Sequence, residues 1–339
     1  MISRPLLTIA IPTYNRLDSL RIQLKKVAEV RSSEVEIIIS DNGSTDGTSS
    51  FLRKASATLE NMSFILNVSN EGFDKNISTL HRAATGNYVW FLSDDDIINP
   101  EYIWQILRVL KSNIDVGAIA LNLDIGAGDS LRTRMVSYAN FGKRFNLPIN
   151  TELPISGSKE LQTLVGTLVS QISTCIIRRI DNTQYEFDGG GLAHVNLVHQ
   201  ALAVHPRFYI ASTKVIRLGQ KNSISNWFLD SCLNGVEIAY SNLTHSLGVE
   251  NCARVIGSTK ILGLKIAFSA LGSSRVDFEL ELLRHFRPPA QARLKVAYAL
   301  WFILVQLGLR LTIIPKIFFA IFRGYGVFKQ KFMITLKNN

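Results

Sequence analysis

Gly86–Asp96, GNYVWFLSDDD, decides the fold. Within it Tyr88–Leu92 is an unbroken apolar run of aromatic and branched residues. Such a run suits a strand buried on both faces, as in a sheet covered by helices. The strand leads straight into Asp94, Asp95 and Asp96. Two like charges about 4 Å apart repel by about 1 kcal/mol in water, and several-fold more where water is partly excluded. A divalent cation removes that cost, and carboxylate oxygens suit Mg²⁺ or Mn²⁺. The competing reading makes the aspartates a helix N-terminus ahead of Asn99-Pro100-Glu101, where they would meet a helix dipole.

Working outward, Leu6–Ile11 and Val35–Ser40 are two further apolar runs, and Ser63–Val68 is a third. Leu17–Val30, Thr48–Leu59 and Asn76–Ala84 carry helical spacing between them. Strands alternating with helices predict an α/β fold with a mostly parallel sheet. Each strand is followed by polar residues: Thr13-Tyr14-Asn15-Arg16, Asp41-Asn42, Asn70-Glu71-Gly72 and the three aspartates. Parallel strands would bring these clusters to one sheet edge, where ligands of open α/β sheets bind.

Beyond Gly117 the pattern weakens. Ile172–Ile177, Phe208–Ala211 and Lys214–Leu218 read as strands and Leu192–Val204 as an amphipathic helix. Cys175, Cys232 and Cys252 form no CxxC and read as reduced structural cysteines of a cytosolic protein. The short run Leu6–Ile11 is no signal peptide. The net charge of +10 resides in the tail, because residues 284–339 hold ten Lys or Arg and no Asp or Glu. A charge-balanced body argues against nucleic-acid binding and directs the tail at an anionic partner.

IPTYNR (Ile11–Arg16), IIISDNGSTDGT (Ile37–Thr48), NEGFDKN (Asn70–Asn76) and GNYVWFLSDDD, in that order, resemble the nucleotide-binding half of family 2 glycosyltransferases. The likeness spans about the first 100 residues, and the whole chain looks most like O-antigen transferases that add abequose or related sugars. It implies a GT-A (Rossmann-like) fold, a nucleoside-diphosphate sugar donor, and inversion at the anomeric carbon. By the same resemblance Pro12, Thr13 and Tyr14 wrap the donor nucleoside and Arg16 reaches its phosphates. Asp41 accepts from the base, and Asn42 shapes the turn. Asn70, Gly72, Lys75 and Asn76 line the donor pocket. Asp94 contacts the ribose and, with Asp96, the metal, and Asp95 stands between them. Packing for Tyr14, a turn for Asn70 and a solvated helix face for Lys75 are the plainer alternatives.

Inverting transfer also needs a base for the acceptor hydroxyl. The family commonly uses an Asp in a Glu-Asp pair opening a late helix, but Ala193-His194 falls where that pair would stand. His194 is then the base or orients the acceptor, since imidazole titrates near neutrality. Asp188, on a glycine-rich stretch, is the alternative, and His199 and His205 read as structural. Lys221 lies where the family often has a mobile lid, and could neutralise diphosphate.

Val296–Leu309 is 14 uncharged residues, short of the about 20 that span a bilayer. Mixed apolar, aromatic and basic residues suit helices lying on an anionic membrane, beside a lipid-linked acceptor. The expected organisation is a catalytic domain over 1–218, a helical extension over 219–283 and a membrane-associating tail over 284–339. The resulting placement is cytoplasmic and peripheral on the inner face of the plasma membrane. Rival readings are a nucleotidyltransferase, which usually has a glycine-rich basic first loop that IPTYNR is not, and a membrane-bound protein that only binds nucleotide sugar.

Overall fold

The computed structural model describes residues 4–112, 115–123, 150, 152–155, 165, 169, 171–181, 190–217, 236–241 and 252. All lie in one unit, Met1–Ala270. The expected domain boundaries after residues 218 and 283, the tail over 284–339, Lys221 and Asp188 fall outside the described residues.

Four strands come first: β1 (Leu7–Thr13), β2 (Val35–Asp41), β3 (Met62–Leu66) and β4 (Tyr88–Phe91). Three helices connect them: α1 (Leu17–Val27), α2 (Thr48–Ser56) and α3 (Phe73–Ala83). Then follow β5 (Ile97–Ile98), α4 (Pro100–Lys111), β6 (Ala118–Leu123), β7 (Glu152–Pro154) and β8 (Cys175–Arg178), the last preceded by a 3₁₀ turn over Ile172–Thr174. The chain continues through α5 (Ala193–Val204), β9 (Arg207–Arg217) and α6 (Val236–Ser241). The nine strands form one sheet in the order β3-β2-β1-β4-β8-β6-β9-β5, with β7 alongside β9.

The mostly parallel sheet is present. β1 to β4 are parallel, β6 and β9 share their direction, and β5, β7 and β8 oppose it. Alternation along the strands explains why both faces are covered. Ala10, Ile38, Val89 and Phe91 face one core with α3 and α5 residues such as Ile77, Leu80, Val195 and Leu197. Ile9, Ile11, Ile37, Ile39, Trp90 and Leu92 face the other, with Leu20, Leu24, Leu52 and Ile103. Apolar side chains on both faces leave a strand no solvated side, so these strands read as continuous hydrophobic runs.

Three sequence expectations change. The strand expected over Ile172–Ile177 is a 3₁₀ turn followed by β8, which starts only at Cys175. The two short strands expected after Phe208 are one, β9, which stays paired to β6 through register shifts between Ala120 and Leu123. β6 itself, AIALNL, was not expected as a strand. The aspartates do not start a helix either. β5 separates them from α4, and Asn99 caps that helix by accepting from the Glu101 N–H at 3.1 Å. Among the described residues no helix is long and apolar enough to cross a membrane.

Candidate active site

Parallel pairing sets the ends of the strands side by side, with Thr13 opposite Asp41 and Asp41 opposite Leu66. The loops beyond them are tied together by side chains. Asn15, at φ 51° in the left-handed region, donates its backbone N–H to Ser44 Oγ at 2.8 Å and accepts from the Thr45 N–H at 2.8 Å. Asp46 accepts from the Leu17 N–H at 2.9 Å. The β1 and β2 loops are thereby one unit.

Asn42 joins the β2 loop to the β3 loop. Its amide donates to Asn70 Oδ1 at 2.8 Å and to the Gly72 carbonyl at 3.2 Å. Its Oδ1 accepts from Asn67 Nδ2 at 3.0 Å and from the Glu71 N–H at 3.1 Å. All its bonding capacity is used. Gly43 beside it has φ +77°, and a Cβ there would meet the Ser69 backbone at 2.7 Å, so only glycine lets the loops approach this closely. Asn42→Asp would replace two donors by acceptors facing Asn70 Oδ1 and a carbonyl. It is expected to lower stability by about 2–4 kcal/mol, and a denaturation midpoint equal to that of the parent chain would refute the hub.

Asp41 is fully engaged locally, accepting from the Ser44 N–H at 3.0 Å and Ser49 Oγ at 2.6 Å. Each carboxylate oxygen keeps a second acceptor direction. Pro12 is half-buried within β1, and Tyr14 is exposed on the loop after it. Asn76 turns inward instead of lining the edge, its amide donating to the Ser40 carbonyl at 3.2 Å inside the core. Lys75 sits on the exposed face of α3 with its Nζ 3.1 Å from Glu71, the plainer of its two readings.

The aspartates have a counter-charge that the sequence reading did not supply. Arg16 Nη1 lies 3.2 Å from Asp94 Oδ1 and 2.6 Å from Asp95 Oδ2. Asp94 also accepts from Thr13 Oγ1 at 2.7 Å, and Asp95 from Ser93 Oγ at 2.6 Å. Burial, at 4% exposure, pushes the Asp94 carboxyl up to about 6, although Arg16 and Thr13 pull the other way. Burial alone would lower the Arg16 guanidinium, but Asp94 and Asp95 outweigh it and leave it raised.

Asp96, at 2% exposure, accepts from Ser173 Oγ at 2.6 Å. Ser173 is held in turn. Its hydroxyl oxygen accepts from the Ser93 N–H at 2.9 Å, and its carbonyl accepts from Trp90 Nε1 at 2.9 Å. Gln23 of α1 donates to the Ser93 carbonyl at 3.1 Å. Neither Ser173 nor Gln23 was foreseen, because only the antiparallel entry of β8 and the packing of α1 bring them here.

Asp74 is a second unforeseen carboxylate. Buried in the first turn of α3, it accepts from the Gly191 N–H at 2.7 Å and the Ala193 N–H at 3.0 Å. It therefore closes the N-terminus of α5, where His194 stands. His194 is 1% exposed, with its ring edge-on to Phe73 at 6.3 Å between centroids. His199, read as structural, is buried 3.1 Å from the Tyr240 hydroxyl, and burial brings its imidazole down to about 4.

Asp94, Asp95 and Asp96 offer a hard-oxygen donor set, and a guanidinium already stands in for a cation on two of them. The residues fit a divalent ion, although among the described residues no group of three or more ligating side chains is already gathered as a metal site.

A helix-covered, mostly parallel sheet with loops and carboxylates on the carboxyl edge of its strands has a GT-A architecture, and ligands of open α/β sheets bind at that edge. The model for Glycosyl transferase family 2 matches residues 8–182, half of the chain, and the chain belongs to that family. It is 32% identical over 117 residues to the abequosyltransferase RfbV of Salmonella typhimurium, covering 33% of this chain and 34% of that one. It is 31% identical over 93 residues to the GalNAc(5)-diNAcBac-PP-undecaprenol beta-1,3-glucosyltransferase of Campylobacter jejuni, covering 27% and 30%. The chain thus spans about a third of the length of the curated relatives it matches. Among solved structures it resembles TarS 1–349 of S. aureus, with a TM-score of 0.55 at 15% identity over 82% of this chain and 78% of that one. It also resembles the mannosyltransferase PcManGT of Pyrobaculum calidifontis, solved with GDP-Man and Mn²⁺, with a TM-score of 0.53 at 14% identity over 88% and 87%.

Proposed function

We propose that the chain is an inverting glycosyltransferase. It moves a sugar from a nucleoside-diphosphate donor to a lipid-linked saccharide in the synthesis of a bacterial surface polysaccharide such as O-antigen. The observation that carries this reading is the joining of four strand-end loops around Asp94–Asp96. Asn15, Asn42 and Asp46 hold those loops before any ligand arrives, and such preorganisation favours a specific ligand. The nucleoside meets Pro12, Thr13, Tyr14 and Asp41, and the donor pocket continues along Asn70 and Gly72. A TarS structure with UDP-GlcNAc supports the donor class, and the undecaprenol in the Campylobacter relative's name supports a lipid-linked acceptor.

Asp96 and Asp94 would hold a divalent cation, Mg²⁺ or Mn²⁺, which when bound neutralises charge on the leaving diphosphate. Lys221, in the stretch that resembles the family's lid, adds a cation for the diphosphate. The acceptor hydroxyl gives its proton to Asp188, with His194 the alternative as base or as the residue that orients the acceptor. The burial of His194 supports that order, because at 1% exposure it offers no open face to a substrate. The basic tail places the protein on the cytoplasmic face of the plasma membrane, where anionic lipid and acceptor meet. Full-length chain is expected to float with anionic vesicles and not with zwitterionic ones.

Thermal shift with UDP-, GDP-, CDP- and dTDP-sugars plus Mn²⁺ tests the donor reading. One base should raise the melting temperature, and chelator should reverse the rise. No shift with any of the four would refute it. With donor and acceptor found, Asp188→Asn should abolish transfer while leaving the donor-induced shift intact. If Asp188→Asn and His194→Ala both retain near-normal turnover, the base lies elsewhere.

A further inference from the structure

We infer that Arg16 is a resident counter-cation on Asp94 and Asp95 which a divalent ion taking Asp94 must displace, and that the displaced guanidinium is then presented to the donor diphosphate. The inference rests on the donor site proposed above. One nitrogen, Arg16 Nη1, contacts Asp94 Oδ1 and Asp95 Oδ2 together. The other oxygens of these two side chains are taken by Thr13 and Ser93 hydroxyls. An ion reaching Asp94 or Asp95 from the open side would therefore stand against the guanidinium. Two cations cannot share those oxygens without repulsion.

Displacement is feasible because the arginine side chain is 48% exposed and can leave into water, while the incoming ion supplies the counter-charge that the 5%- and 12%-exposed aspartates would otherwise lose. Deprotonation offers no alternative exit, since arginine keeps its charge in proteins. The backbone at this point is fixed. Asn15 is held by Ser44 and Thr45, and the Leu17 N–H by Asp46. Only the Arg16 side chain has freedom to swing. A metal ion alone thus trades one cation for another, whereas metal with diphosphate gives the released arginine a new anion. Metal and nucleotide affinities are then coupled through this side chain, reciprocally.

The test titrates full-length protein with Mn²⁺, counting free ion by electron paramagnetic resonance, alone and with saturating UDP, GDP, CDP or dTDP. Arg16→Gln is expected to bind Mn²⁺ alone at least threefold more tightly than the parent chain and to gain less from the nucleotide. Arg16→Lys keeps the charge and should resemble the parent in the metal-only arm. A second measurement needs no variant. Mn²⁺ alone should raise phenylglyoxal labelling of Arg16, read by mass spectrometry, and added nucleotide should suppress it. Equal or weaker Mn²⁺ binding by folded Arg16→Gln, or labelling indifferent to Mn²⁺, overturns the inference and leaves the donor site standing. If the parent chain binds no Mn²⁺ with any of the four nucleotides, the donor reading itself falls and takes the inference with it.

Discussion

Asp94→Asn should make the metal-free protein more stable at neutral pH and at the same time weaken the proposed Mn²⁺-dependent nucleotide binding at least tenfold. The reason is that this carboxylate is buried more thoroughly than its partners can offset. Its carboxyl is raised from 3.8 to about 6, with burial the largest cause and Arg16 and Thr13 acting against it. A group raised in this way binds its proton more tightly folded than unfolded. Its presence therefore costs stability as pH rises from about 4 to about 6, and the full cost stands above that. Two pKa units correspond to about 3 kcal/mol. That cost already includes the pull of Arg16 and Thr13. An asparagine keeps an acceptor for Thr13 but turns a donor toward Arg16 Nη1, so a smaller net gain of about 1–2 kcal/mol is expected.

Urea midpoints in chelator between pH 4 and 8 would show it. The variant should draw ahead of the parent between about pH 4 and 6 and run parallel above. A variant less stable at pH 7.5 would mean that the Arg16 pairing outweighs the burial. Adding Mn²⁺ together with nucleotide should stabilise the parent more than the variant, because only the parent keeps the carboxylate that takes the ion.

The sheet and the loop clusters were legible in the sequence for one shared reason. A strand covered on both faces leaves an apolar run such as Val35–Ser40, and its end must change abruptly to turn residues such as Asp41-Asn42-Gly43. Distant partnership leaves no such trace. Arg16 and Asp95 are 79 residues apart, Ser173 and Asp96 are 77 apart, and Asp74 and Ala193 are 119 apart. Nothing local in those residues marks the pairings. Arg16 in particular reads equally well as a phosphate ligand and as a partner of the aspartates. The weak signal of α5 has another physical origin. The helix lies where Leu192–Val204 reads as amphipathic, but His194, Asn196 and His199 are buried together with Val195, Leu197 and Val198, so over most of its length it lacks the solvated face of an amphipathic helix. β6 and β9 stay paired across shifted register, and a bulge of that kind breaks the alternation by which strands are recognised.

Asp74→Ala should be among the most destabilising single changes near the site, about 2–4 kcal/mol. The carboxylate satisfies two backbone N–H groups at the start of α5, in a place closed to water. Buried donors left without an acceptor cost about 1–3 kcal/mol each, and the loss of an N-terminal cap acts in the same direction. Asp74→Asn can restore one of the two bonds but turns an N–H₂ toward the other amide, so it should fall between alanine and the parent. Burial pushes the Asp74 carboxyl up, so part of the ionised group's cost disappears in either variant and tempers the loss at neutral pH. Lys75→Ala, one residue along, is the control, because its pair with Glu71 lies in solvent and such pairs contribute about 0–1 kcal/mol.

Hydrogen exchange gives the sharper readout. The Gly191 and Ala193 amides should lose protection in Asp74→Ala and keep it in Lys75→Ala. If both amides stay protected and the denaturation midpoint does not move, the cap does not hold α5. Protection lost at Gly191 and Ala193 alone, with α3 amides unchanged, would show that the Asn70–Asn76 segment and the start of α5 are joined chiefly through this one carboxylate. That would make Asp74 the mechanical link between the segment after β3 and His194, two regions that no nearby sequence connects.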